Sequence, residues 1–92
     1  MNTIVFKKPF QFEGKEYTEL TLDLDALTGQ QLIESETETR ALGDRTPMLE
    51  VSKSYQAVIA AKAAKVPCDL IKTLPAKEFS KVTVMVQNFL LE

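Results

Sequence analysis

Two alternating runs of apolar and polar residues, joined by a tight-turn signal, constrain the fold more than any other feature of this chain. They lie in the stretch PFQFEGKEYTELTLDL near the N-terminus. Gly14 supplies the positive φ that a tight hairpin turn needs. The pattern predicts an antiparallel β-hairpin over residues 3–24. Three leucines of its second strand should face the core: Leu20, Leu22 and Leu24.

The hairpin also dictates what the rest of the chain must do. A two-stranded ribbon is marginally stable in water, so helices must cover its apolar face. Pro9 cannot donate to a strand ladder, and we expect it at a strand end, an edge or a bulge.

A first helix is predicted over residues 28–42. Thr28 followed by Gln31 is a capping-box pattern, and Gly43 is a favourable residue just beyond a helix end. The acidic run ESETE indicates a solvated face. We expect the helix to hold the core through one narrow apolar stripe, made of Leu27, Leu32, Ile33 and Leu42.

A second helix is predicted over residues 47–65. Pro47 suits its first turn, with Thr46 as the cap. Alanines raise helix propensity and permit a neighbour to approach closely. Pro67 should end the segment. The predicted apolar stripe consists of Val51, Tyr55, Val58, Ile59 and Ala63.

The C-terminal stretch KVTVMVQNFLLE fits both a strand and a helix. Val82, Val84 and Val86 alternate with Thr83, Met85 and Gln87, the period of a strand. Phe79, Val82, Val86, Phe89 and Leu90 also fall at helical spacing. The helical pattern persists over the whole segment, which is too long for a typical strand. We therefore predict a short helical turn, a stop at Leu74-Pro75, and a helix over residues 76–91.

Together these elements predict one domain over residues 1–92. Its class is α+β and mainly helical, with the N-terminal antiparallel β-hairpin followed by three to four helices. A chain of 92 residues is the size of a single domain.

The last helix should carry a second apolar strip opposite its core face. Val84 and Leu91 point to that side, Met85 lies at a flank and Phe89 at the margin of the core face. Either a neighbouring helix of the same domain covers the strip, or it is a surface for a partner or for self-association. Under the second interpretation the partner-binding residues are Val84, Met85, Phe89 and Leu91, together with the alanine-rich side of the second helix.

The residue types argue against catalysis. The chain has no histidine, the usual general base and the commonest metal ligand, and its single cysteine, Cys68, is expected to be a buried apolar residue. The paired acidic residues lie on predicted solvated faces. We therefore expect no enzyme activity, no catalytic residue, no cofactor and no metal site.

Charge and hydropathy restrict the partners. Eleven basic and thirteen acidic residues give a net charge of −2, which argues against a large nucleic-acid interface. No apolar run approaches the length of a membrane span, and no signal peptide is evident, so we expect a cytoplasmic protein with no membrane partner.

The order of signals resembles the small tail assembly chaperones of long-tailed bacteriophages, in the Mu-like and P2-like group. Three stretches carry the resemblance: PFQFEGKEYTELTLDL, LTGQQL and VPCDLIKTLPAKEFSKVTVMVQNFL. Together they span most of the chain. The match is one of order and spacing, because none of these residues performs chemistry.

The resemblance implies a function in phage or prophage tail morphogenesis. Such proteins bind the helical, aggregation-prone tape measure protein in the host cytoplasm before tail tube protein polymerises around it. They are absent from the mature virion, and many are also made as a longer, frameshifted form. The family assigns no contact residues that could be transferred here.

Two other functions remain open from the sequence. One is a small regulatory or adaptor domain that acts through protein interaction. A version that binds DNA would need a helix-turn-helix with a basic recognition helix, yet the only arginines are Arg40 and Arg45. A structural tail component would be mostly β-structure, whereas this chain is predicted to be mainly helical.

Overall fold

The computed structural model describes residues 2–92. It confirms the predicted class, α+β and mainly helical, with an antiparallel hairpin followed by helices. The strands are β1 (Asn2–Phe12) and β2 (Lys15–Leu22), and the helices are α1 (Gly29–Ala41), α2 (Lys53–Ala64), α3 (Cys68–Lys72) and α4 (Ala76–Leu91). Short 3-10 turns lie at Leu24–Ala26 and Leu49–Val51.

Glu13 and Gly14 form the hairpin turn, and Pro9 lies at an irregularity in the strand pairing. Glu13 and Gly14 both have positive φ, as a type I′ turn requires. The strand pairing then breaks between Val5 and Phe10, where the register shifts. Pro9 lies in this interruption, because it has no N–H for the ladder. The three leucines of the predicted row, Leu20, Leu22 and Leu24, are all buried.

Helix α2 is the centre of the core. Eight of its twelve residues are buried, and it packs against α1, α3, α4 and β2. A helix that is buried all round needs small side chains wherever a neighbouring backbone approaches closely, and alanines provide them. The alanine-rich side is therefore core and is not a partner surface, which corrects the prediction made from sequence. Its buried alanines are Ala57, Ala60, Ala61 and Ala63.

The start of α2 also differs from the prediction. Pro47 and Thr46 do not begin the helix, because the chain first forms the 3-10 turn at Leu49–Val51. Ser52 is the true N-cap, and its hydroxyl accepts a hydrogen bond from the Tyr55 N–H. Val51 consequently lies outside the helix and is exposed.

Helix α1 has the predicted capping box between Thr28 and Gln31, but its buried face is different. Ile33 and Leu42 are exposed, and the buried residues are Ser35 and Thr39. Each of these two hydroxyls donates to the carbonyl one turn earlier, at 2.8 Å and 2.7 Å. The hydroxyls are therefore satisfied within the helix, which lets a small polar face pack against α2.

The ambiguous C-terminal segment is a helix. Val82 and Val86 are completely buried, so core packing compensates for the weak helix propensity of β-branched residues. Thr83 is also completely buried, and its hydroxyl donates to the Ser80 carbonyl and accepts from Lys53 Nζ.

Two isoleucines test this account of the core. Ile59 on α2 is 0 % exposed and Ile33 on α1 is 60 % exposed. We expect Ile59→Ala to lower the free energy of unfolding by about 2–5 kcal/mol, because it removes buried methyl groups and leaves a cavity. The matched variant Ile33→Ala should change it by no more than about 0.5 kcal/mol. Urea denaturation followed by circular dichroism measures both. Equal losses would mean that α1 buries Ile33 in solution.

Candidate functional site

The outer side of α4 borders an open groove of about 680 Å³. Its other wall comes from the start of β1 and from the 3-10 turn that follows β2. These bring Asn2 and Asp25 to the groove. The α4 residues that line it are Ser80, Lys81, Val84, Met85, Asn88 and Phe89, and Glu92, which follows the end of the helix, also lines it.

The four predicted partner-binding residues occupy two positions around α4. Val84 and Leu91 are 49 % and 52 % exposed, and they lie on the same side of the helix, two turns apart. Met85 and Phe89 are half-buried and pack against the edge of the core. Within residues 2–92, no other element buries Val84 or Leu91. We call these four residues the α4 strip.

The groove brings together three of the four, Val84, Met85 and Phe89. Leu91 is outside its lining and extends the apolar surface along the helix. The groove also contains residues that were not predicted site residues, above all Asn2 and Asp25. No nearby sequence pattern marks Asn2 or Asp25 as a site residue. They lie beside α4 because the strand register, with Asn2 opposite Leu22, places this end of the hairpin there.

A buried carboxylate fixes the N-terminal end of α4 to β1. Glu78 Oε2 accepts a hydrogen bond of 2.9 Å from the backbone N–H of Lys7, within the interrupted part of β1. Lys81 Nζ lies 3.2 Å from Glu78 Oε1. The Lys7 hydrogen bond, followed by Lys81, lowers the pKa of Glu78. The helix is therefore held in a defined orientation, with its outer side turned away from the core.

A buried amide fixes the middle of α4 from its other flank. Gln56 on α2 is completely buried, and its Nε2 donates to the Glu50 carbonyl at 2.9 Å and to Gln87 Oε1 at 2.8 Å. One side chain thus links α2, the Leu49–Val51 turn and α4. Both contacts favour a rigid helix beneath the α4 strip.

The polar clusters elsewhere are suited to structural roles. Ser52 donates to Asp44 while it caps α2, and the Thr46 N–H donates to the same carboxylate at 2.7 Å. Cys68 is half-buried, less than expected, and burial raises the pKa of its thiol, which opposes formation of a reactive thiolate. Within residues 2–92, no group of three or more acidic or cysteine side chains is placed to hold a metal ion.

The structure and the comparisons add two negative findings. In the part of the chain that the structure describes, no helix combines the length and the hydropathy needed to cross a membrane. Comparison with protein-family models, curated proteins and solved structures finds no match.

The Asp44 cluster gives a pH prediction. Hydrogen bonds from Ser52 and Thr46 lower the pKa of Asp44 from 3.8 to about 2. A carboxyl group with a lowered folded-state pKa stabilises the fold fully above its unfolded value, and this contribution is lost as the pH falls from 3.8 towards 2. We expect Asp44→Asn to lower the urea midpoint of unfolding at pH 7. At pH 2.5 the midpoints of the variant and the wild type should differ less.

Asp69→Asn provides the control for this experiment, because Asp69 is exposed and lies on α3, outside the Asp44 cluster. Its urea midpoint should follow the wild type at both pH values. An Asp44→Asn midpoint equal to the wild type at pH 7 would show that these hydrogen bonds do not stabilise the fold.

Proposed function

We propose that this protein is a bacteriophage tail assembly chaperone that binds the tape measure protein through the α4 strip. The observation that carries the proposal is the exposure of Val84 and Leu91 on a helix whose opposite side forms the core. The resemblance of three stretches of the sequence to this family supplies the identity of the client. A chaperone of this kind acts by binding alone, so it requires no catalytic or metal site.

The shape of the surface suits a helical client. An amphipathic helix is recognised when its apolar side chains lie along a groove or strip on the receptor. Val84 and Leu91 are seven residues apart, which is about 10 Å along α4 and two turns of a bound helix. The groove beside them, lined by Met85 and Phe89, can receive a large apolar side chain from the client.

The size of the strip implies that many copies act together. Burial of the exposed halves of Val84 and Leu91 contributes about 1 kcal/mol each. That is far less than tight binding by a single copy requires. A long client with a repeated apolar face can bind many copies, and neighbouring copies then increase the total affinity. We therefore expect the chaperone to coat the tape measure protein.

The proposal includes a place and a time of action. The chaperone works in the host cytoplasm, keeps the client soluble until tail tube protein assembles around it, and is absent from the mature virion. A longer, frameshifted form would share residues of this chain and bind the same client. Purified particles that contain this protein at stoichiometric amounts would favour a structural tail component, and a salt-dependent shift of duplex DNA would favour a regulatory domain.

Paired aspartates test the surface directly. We expect Val84→Asp with Leu91→Asp to reduce recovery of co-expressed tape measure protein on the tagged chaperone at least tenfold, because the strip would then carry two charges that must be desolvated. The matched control is Ile33→Asp with Leu42→Asp, which adds the same charge at residues of similar exposure on and beside α1. The control should retain the client. Quantitative pull-down measures both.

Circular dichroism and thermal unfolding show whether each variant is folded. A folded Val84/Leu91 variant that retains the client as well as the wild type does would contradict the proposed surface. If the same variant unfolds, these residues belong to the core, and the assignment of the α4 strip is wrong.

A further inference from the structure

The groove side of α4 carries opposite charges at its two ends. Lys81 lies near the N-terminal part of the groove and Glu92 at its C-terminal end, and both line it. They are eleven residues apart, or about 16 Å along the helix. Because both residues line the groove, and the groove runs along one flank of the α4 strip, both charges lie on that flank.

This arrangement is complementary to itself in one orientation. Two copies of α4 packed antiparallel about a two-fold axis bring the same flank of each helix together. With the axis midway between Val84 and Leu91, each Val84 faces the Leu91 of the other copy. Lys81 of each copy then lies within about 3 Å, measured along the helix axis, of Glu92 of the other. A parallel pairing would place like charges at the same height.

The side chain of Lys81 can make this contact without losing its contact within the chain. It is about half exposed, with Nζ 3.2 Å from Glu78 Oε1. An ammonium group has three donors, so a second carboxylate can be accommodated.

We propose that, without a client, the α4 strip is covered by a second copy of this chain in an antiparallel homodimer. The inference rests on the strip named under the proposed function, but not on the client of that function. It adds a regulatory consequence. The second copy and the client compete for the same residues, so the exposed apolar surface is shielded until the client is available.

Charge reversal provides the test, because it distinguishes this dimer from general association. Lys81→Glu alone and Glu92→Lys alone should each weaken dimerisation roughly tenfold, since each creates two like-charge contacts. An equimolar mixture of the two variants should restore it, because both contacts are then attractive. Sedimentation velocity over a range of concentrations measures each dissociation constant, with one variant fluorescently labelled in the mixture.

Matched controls distinguish the loss of the Lys81–Glu92 contact from the change in net charge. Lys72→Glu and Glu34→Lys make the same changes in charge at exposed residues on α3 and α1, and they should leave the dissociation constant unchanged. Because Lys81→Glu removes a partner of Glu78, a second pair of variants is needed. Val84→Asp with Leu91→Asp should be monomeric at concentrations where Ile33→Asp with Leu42→Asp is dimeric.

Three results would each overturn the inference. The first is a wild-type chain that is monomeric at 100 μM or more. The second is a mixture of the two variants that dimerises no more tightly than either variant alone, and the third is a charge-reversal variant that dimerises as tightly as the wild type. The proposed function is measured independently by recovery of the tape measure protein. A monomeric wild type that still recovers the client would refute the dimer alone. A dimer with the expected charge dependence and no client binding would refute the proposed function alone.

Discussion

Helix α2 is buried on all sides, and every other helix and the hairpin are positioned by packing around it. A small domain has little apolar surface to bury, and a central helix brings four other elements into one core. The alanines of α2 make close approach possible, and the hydroxyls of Ser35 and Thr39 let α1 approach with a face that is not strongly apolar. The buried Gln56 amide then fixes α4 to α2.

The proposed binding surface is the part of α4 that this core leaves exposed. Val82 and Val86 are completely buried in the core. Val84 and Leu91 are about half exposed, because no other part of residues 2–92 covers them. Glu78, which is bound to β1, and Gln87, which is bound to Gln56, hold the helix from its two flanks. An apolar strip on a rigid helix can bind a partner with little loss of conformational entropy.

The sequence predicts the features that depend on local signals. The Glu13-Gly14 turn, the Thr28–Gln31 capping box and the extent of α4 are encoded by neighbouring residues, and the structure agrees with all three. The start of α2 was not predictable from Pro47, because Ser52 competes as a cap and is supported by Asp44. Here a contact with the preceding loop determines the boundary.

Burial was harder to predict than secondary structure. Ile33 and Leu42 looked like core residues because they are apolar, but α1 turns its small hydroxyl residues towards α2. The exposure of Val84 was predictable from helical spacing, since it lies opposite Val82 and Val86. The contributions of Asn2 and Asp25 to the groove were not, because they depend on strand register and on packing between distant segments.

Site-specific photo-crosslinking can locate the tape measure protein on the surface of this chain. A photoreactive amino acid would replace Val84 in one version of the protein and Ile33 in another, each co-expressed with the tape measure protein. We expect strong crosslinks to the tape measure protein from position 84 and background levels from position 33. Equal crosslinking from both positions, or none from position 84 while the tape measure protein still co-purifies, would contradict the proposed binding surface.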